Sequence, residues 1–409
     1  MKSILVIGGG IVGAACALRL QAAGVQTILI DPGDKRRGAS YGNAGHLGPE
    51  QVTPWSAWGN VLRAPQSSFG MGGPLDFRWS DVGLWAPWSM RFLAACDHSA
   101  FERGRAALTA LLADALPAWH RIAELAGAPD LVIPHGHATA WMTPHGAERG
   151  LAAMAKAQWG ATTYREMTAS ELERYAGVLK RVPTAAVQVS GTGQVSDPQA
   201  ARDAMLRSFA ERGGEIVAGR ATRVEASARV ALADGTTREA DAVLVCAGPW
   251  SRALMEGLDV TTPLIGERGY HLQSAETNWP RDLPTTVFEE NFIAVSRFTT
   301  GLRCTSFVEF GSPDAPGDER KWRRLRQRID ELGIAFEANP DRWVGSRPSL
   351  PDFVPAIGRL ERAPKVLYAF GHAHLGLTEA PITAEIVTAM ATEKTPAIDV
   401  RPYRIERFR

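Results

Sequence analysis

The chain opens on a short apolar run, SILVI at residues 3–7, followed by three glycines and then by Val12, Ala15, Cys16 and Leu20 at helical spacing. This pattern predicts a buried strand, a helix over 11–23 stopped by Gly24, and a second strand over 26–30. Further on, the turn GQVSDP at 193–198 precedes a helical stretch over 200–212 that Gly213-Gly214 closes. Apolar or alternating runs at 215–217, 223–226, 229–232 and 242–246 read as strands, with Asp234-Gly235 as a hairpin turn. Residues 320–331 put Trp322, Leu325 and Ile329 on one helical stripe that ends at Leu332; the Arg and Lys around it read as a solvated face. Strand, glycine turn, helix and strand within about 30 residues make a βαβ unit, which places the chain in the α/β class. No internal repeat or low-complexity segment interrupts it.

The turn is Gly8-x-Gly10-x-x-Gly13. Gly8 permits the tight turn, Gly10 lets a pyrophosphate approach the backbone, and Gly13 lets helix and strand pack closely. Ile11 and Val12 open the helix, whose free N–H groups and positive dipole end favour phosphate. Asp31 closes the second strand, within reach of ribose hydroxyls. A dinucleotide site is expected, and the fingerprint alone leaves NAD and FAD open. The next segment, RGASYGNAGH at 37–46, narrows the choice. A nicotinamide site has no special need for this small polar loop. A flavin needs donors for its ribityl chain and ring system as well as for its pyrophosphate. Arg37, Ser40 and Asn43 are polar groups of that loop, and Ala44 and Gly45 leave room for a ring against the backbone. Ala247, Gly248 and Trp250 follow the buried strand at 242–246, where a strand end can touch the cofactor.

Composition changes the picture only by exclusion. A chain of 409 residues suggests two or three domains. A content of 45% hydrophobic and 22% charged residues is that of an ordinary globular protein. A formal charge of +1 gives no nucleic-acid footprint. Cys16, Cys96, Cys246 and Cys304 form no Cys-x-x-Cys clip, so no metal site is expected and a reducing cytoplasm fits. Lys2 and the apolar run after it mimic a leader peptide, but cleavage there would remove the glycine turn. No run of 18 apolar residues predicts a membrane span. Trp55, Trp58, Trp79, Trp85 and Trp88 crowd into one stretch. They read as a core or subunit contact, with peripheral contact at the inner membrane as the alternative.

Taken in order, the GxGxxG turn, RGASYGNAGH, VLVCAGPWS at 243–251 and GSRPSLPDFVPAIG…YAFGHAHLGLTEAPIT from 345 onward resemble the D-amino-acid oxidase superfamily of flavoproteins. The closest branch is the bacterial D-amino-acid dehydrogenase type. The resemblance implies a discontinuous Rossmann-like FAD-binding domain (1–50, 190–265 and 345–409). It also implies an inserted substrate domain on an antiparallel sheet (51–189 and 266–344). Val224 matches the position where the family's backbone meets the adenine. Gly371, Gly376, Leu377 and Thr378 match its flavin contacts. The family's cysteine attachment point near Arg347 has no cysteine here, so non-covalent FAD is expected, with His46 left open as another attachment point.

Amine oxidation by a flavin needs a carboxylate anchor, a positive potential near the flavin C2 carbonyl and polar side chains over the ring. Arg347 stands where related oxidases anchor the substrate carboxylate, and its planar fork suits that task. The bland alternative is a structural pair with an aspartate such as Asp352. A helix starting near Leu377, capped by Thr378 and with Pro381 in its first turn, would supply the positive end. Tyr270 is a candidate for bonding the carboxylate or covering the ring. His374 is a candidate anchor or proton acceptor, and His46 is a candidate to face N5. The expected activity is FAD-dependent oxidation of the C–N bond of a small amino acid, with a quinone, a carrier or oxygen as acceptor. Secondary amines such as hydroxy-D-proline, sarcosine or iminodiacetate are the near alternative. A nicotinamide-dependent dehydrogenase and a non-catalytic FAD-binding subunit are the alternatives of another class.

Overall fold

The computed structural model describes all 409 residues. The opening unit forms as its pattern predicts: β1 (Ser3–Ile7), α1 (Ile11–Ala22) and β2 (Gln26–Asp31). β1 lies inside a six-stranded sheet whose order is Glu215–Ala218, β2, β1, Ala242–Val245, Val366–Phe370 and Ala356–Arg359. Its pairings are parallel except the last, which is antiparallel. Ile4 to Ile7 are buried because both faces of the sheet are covered. α1 is apolar on nearly every face, since the sheet, Pro198–Glu211 and the C-terminal helix Gly376–Ala391 all pack on it. Two glycines make this packing possible. Gly8 has φ +103, and a Cβ there would stand 2.6 Å from the Cys246 carbonyl oxygen. A Cβ on Gly13 would drive into the Gly8 carbonyl.

The second sheet has nine strands, ordered Asp341–Ser349, Ile265–Ser274, Gly301–Gly311, Ile293–Phe298, Thr285–Phe288, His137–Trp141, Ala185–Ser190 and Thr163–Glu166, with Leu75–Phe77 added to Gly301–Gly311. It is mainly antiparallel. Two pairings are parallel, a departure from the expected sheet: Thr285–Phe288 with His137–Trp141, and Leu75–Phe77 with Gly301–Gly311.

Three other expectations change. The strand Asp341–Ser349 belongs to the second sheet, so the chain returns to the first at Leu350 and not at residue 345. Helices His98–Leu112 and Ala115–Leu125 bury their apolar faces in the same core as α1, which splits the segment 51–189 between the two sheets. The helix Glu319–Leu332 is not merely a solvated basic face. Its Lys321 is wholly buried, with Nζ 2.8 Å from Glu309 and 2.6 Å from Asp76, and its Arg328 is buried too.

The tryptophan-rich stretch divides. Trp88 is buried, and its Nε1–H donates to the Ser349 carbonyl at 3.1 Å. Trp58 and Trp79 are 54% and 78% exposed, so the stretch as a whole is not core. No helix is long and apolar enough to cross a membrane. All four cysteines are buried free thiols.

Candidate active site

A cavity of ≈ 590 Å³ runs from the turn between β1 and α1 to the face of the nine-stranded sheet. At its first end α1 begins without a side-chain cap. The Ile11 N–H donates to Ser40 Oγ at 2.9 Å, while the N–H groups of Val12 and Gly13 find no acceptor in the protein. Uncapped donors at a helix start suit phosphate. Asp31 lies on the wall there and accepts from the N–H groups of Gly9 and Gly33, at 2.6 and 2.9 Å. Gly219 to Thr222 complete this end.

The middle of the cavity is lined by the loop after β2, including Arg37, Ser40, Asn43 and Ala44, and by Ala247, Gly248 and Trp250. Asn43 folds back on its own loop: its Oδ1 accepts from the Gly45 N–H at 2.7 Å. The far end is closed by Gly376, Leu377 and Thr378, the first turn of the C-terminal helix. Thr378 does not cap that helix. Its hydroxyl accepts from the Gly48 N–H at 3.0 Å and ties the helix to the flavin-loop segment. Pro381 lies in the second turn, where it removes the bond that the Leu377 carbonyl would accept. The indole N–H of buried Trp119 takes that carbonyl instead, at 2.9 Å.

Arg347 faces the cavity from the edge strand of the nine-stranded sheet, directly across from Glu267 in register. Its Nη1 donates to Glu267 Oε1 at 3.0 Å, and Ser349 donates to Oε2 at 2.7 Å. Glu267 is wholly buried, so this pairing aims the arginine. The Nε and Nη2 atoms of Arg347 make no hydrogen bond within the protein. Asp352, the aspartate that a structural reading would assign to Arg347, pairs with Arg407 at 2.6 Å instead.

Tyr270 borders the cavity, but its ring packs on Phe307 and Trp322 under the helix Glu319–Leu332 and its hydroxyl donates to Glu309 at 2.7 Å, so it is not placed to bond a substrate carboxylate or cover the flavin ring as expected. Burial pushes its phenol well above the ordinary range. His374 lines the cavity and packs its ring on Trp55, 4.7 Å away. Burial lowers it to about 4, with Glu267 opposing and Arg347 reinforcing the shift, so the ring is neutral near pH 7. His46 lines the cavity with Nε2 3.0 Å from Glu50.

The fold therefore gathers most of the residues singled out from sequence around one space. Four stand off its wall. Gly13 serves helix packing. Val224 is buried in the core beyond the wall residues 219–222. Gly45 and Gly371 hold positive φ angles of +76° and +81° behind the lining. Sequence reasoning missed Glu50, Gln51, His137, His372, Trp343 and Glu267. A carboxylate four residues after His46 was a readable signal, with Gln51 beside it; His137, Glu267 and Trp343 come from strands far apart in the chain, and His372 lies just before the C-terminal helix.

The fit to FAD rests on the uncapped N–H groups at α1, the glycine cradle and a second uncapped helix start at the other end. Such a fold and cavity define a flavin-dependent oxidoreductase. The chain belongs to the FAD dependent oxidoreductase family DAO, whose model matches residues 3–390. It is 31% identical to a D-amino-acid oxidase of Bradyrhizobium diazoefficiens across 100% of this chain and 99% of the relative. It is 25% identical to a D-amino acid dehydrogenase of Neisseria meningitidis across 95% and 96%. In fold it resembles iminodiacetate oxidase from Chelativorans sp. BNC1, with TM-score 0.72, 17% identity and 98% of each chain covered. It also resembles glycine oxidase from Geobacillus kaustophilus, with TM-score 0.68, 18% identity and 99% of each chain covered.

Proposed function

We propose that this chain oxidises the C–N bond of a small D-amino acid to an imine, which hydrolyses to a 2-oxo acid and ammonia. The observation that carries the reading is the half-used fork of Arg347. One nitrogen is fixed by buried Glu267, and two others are unspent beside the cavity. A planar guanidinium with two free donors matches a carboxylate. Bound FAD supplies the two-electron acceptor for the hydride on the carbon next to nitrogen. The protein's part is to hold the substrate and keep water out. Thr285, Val287, Ala294 and Thr305, from three strands of the nine-stranded sheet, give the substrate end small walls. The positive end of the C-terminal helix favours negative charge at the far end of the cavity.

The names of the two sequence relatives support the D-amino-acid reading. A secondary amine carrying a carboxylate, such as iminodiacetate, sarcosine or hydroxy-D-proline, would use the same anchor. The likeness in fold to an iminodiacetate oxidase keeps that second reading in view. The test is anaerobic mixing of the purified yellow protein with panels of D-amino acids, prolines and N-substituted glycines. Bleaching by D-amino acids supports the first reading, and bleaching by secondary amines alone replaces it with the second. Bleaching by none identifies a non-catalytic flavoprotein.

A further inference from the structure

One segment carries nearly all the apolar surface that the fold leaves bare. Eleven large apolar residues are exposed, and nine of them fall between Trp55 and Leu93; the other two are Ile216 and Phe292. Trp58, Leu62, Met71, Trp79 and Met90 are each more than half exposed. The helix Val82–Ala95 is apolar on both sides. Its inner side buries Trp88, and its outer stripe, Leu84, Pro87, Met90 and Ala94 at helical spacing, meets solvent with Arg91 as its one charge. A helix that is apolar all round belongs in a core or against lipid, and an apolar surface of this kind marks an interaction site.

Aromatic contacts join the neighbouring loops to that helix. Trp55, Trp88 and Phe92 all pack on Phe353, with ring centroids 5.6, 6.2 and 6.1 Å away. Trp79 packs on Trp85 of the helix at 5.5 Å, and the Trp85 indole donates to the Arg78 carbonyl at 2.8 Å. The charges of the stretch are one-sided. Asp76 is taken by Lys321 and Asp81 by Arg78, which leaves Arg63 and Arg91 exposed with no carboxylate partner. A second copy meeting this face across a two-fold axis brings the same arginines and no free carboxylate to receive them. Lipid phosphates do receive them, and tryptophan is a side chain that settles at the headgroup boundary.

We propose that the face from Trp55 to Leu93 docks on an anionic lipid surface, with Trp58, Trp79 and Met90 set among the headgroups and Arg63 and Arg91 on lipid phosphates. The contact is peripheral, since no helix is long and apolar enough to span the bilayer. Apolar insertion supplies most of the affinity, and the arginines select the lipid charge. The face lies next to the substrate end of the cavity. The Trp55 ring packs on His374, 4.7 Å away, and Trp88 holds the carbonyl of Ser349, two residues after Arg347. Docking does not depend on which amine is oxidised.

The test is co-sedimentation of the purified holoprotein with vesicles of phosphatidylglycerol and phosphatidylcholine in equal parts, against vesicles of phosphatidylcholine alone. The parent should pellet with the mixed vesicles, less so as salt is raised, and brominated lipid should quench its tryptophan emission. Trp79→Gln with Met90→Gln should weaken binding about 100-fold. Arg63→Gln with Arg91→Gln should weaken it about 30-fold on the mixed vesicles only. All four side chains are exposed, so flavin content and melting temperature should match the parent. Should the first pair not fold, Trp58→Gln with Leu62→Gln is read in its place. A parent that ignores both kinds of vesicle overturns the proposal; a dimer that Trp79→Gln with Met90→Gln dissociates would then assign the face to a second copy. Vesicle binding that neither pair weakens overturns it as well, by placing the contact elsewhere. Equal binding to both kinds of vesicle overturns the role of the arginines.

Discussion

Replacing Arg347 with lysine tests the substrate anchor most directly. Lysine keeps a cation beside Glu267, which is wholly buried and bonded by Arg347 at 3.0 Å. The fold therefore retains its ion pair. The planar fork is lost, since an ammonium is a point charge and cannot direct two parallel N–H groups at one carboxylate. One charge-assisted hydrogen bond is worth about 1.5–3 kcal/mol, which is roughly 10- to 150-fold in affinity. The assay is anaerobic stopped-flow bleaching against substrate concentration. Arg347→Lys should raise the dissociation constant by that factor, with FAD content unchanged and the limiting rate less affected. A companion pair separates binding from folding. Arg347→Met leaves Glu267 charged, buried and short of a partner, at a cost of about 3–5 kcal/mol. Adding Glu267→Gln should restore the melting temperature without restoring substrate affinity. A dissociation constant in Arg347→Lys equal to that of the parent, for every carboxylate substrate, would remove Arg347 from the role.

Three further outcomes are expected. Trp119→Phe removes the only donor to the Leu377 carbonyl beside Pro381, and should cost about 1–3 kcal/mol, read as a lower melting temperature. Gly13→Ala forces a methyl group against the Gly8 carbonyl, so the protein should be recovered without yellow colour or not at all; a fully FAD-loaded variant would refute the packing role. Glu379 is buried in the first turn of the C-terminal helix, neither carboxyl oxygen has a partner, and burial raises it well above the ordinary 4.5. The folded state then holds a proton that the unfolded chain releases, so its contribution is full below about pH 4.5 and is lost as pH rises toward the folded value. Glu379→Met should flatten the fall in melting temperature across that window, and an unchanged slope would show that another group sets it.

Much of the first sheet was legible because its signals are local. The strand, Gly8-x-Gly10-x-x-Gly13 and helix α1 depend on neighbours a few residues apart, and they appear where the pattern sets them. The same holds for Asp31, Ser40, Ala247 and the glycine that opens the C-terminal helix, all of which reach the cavity. Val224 was misplaced because a short strand's register is weakly marked: the wall is built from residues 219–222. Thr378 and Pro381 were read as cap and first-turn residues because helix starts shift by a residue or two without tertiary contacts.

Sequence by itself determined the dinucleotide unit and the family of motifs that runs to the C-terminus, and it offered Arg347 as a candidate anchor. Local chemistry suffices for these, since turns, caps and guanidinium geometry are properties of short segments. Only the tertiary structure decided what each charge faces. Glu267 meets Arg347 across two strands 80 residues apart, and His137 meets Glu50 from the nine-stranded sheet, far along the chain. Lys321 is buried on Glu309, although its segment reads as a solvated helix. The physical reason is that the free energy of a charge depends on its solvent and its partners, and both are set by chain segments that sequence spacing does not bring together.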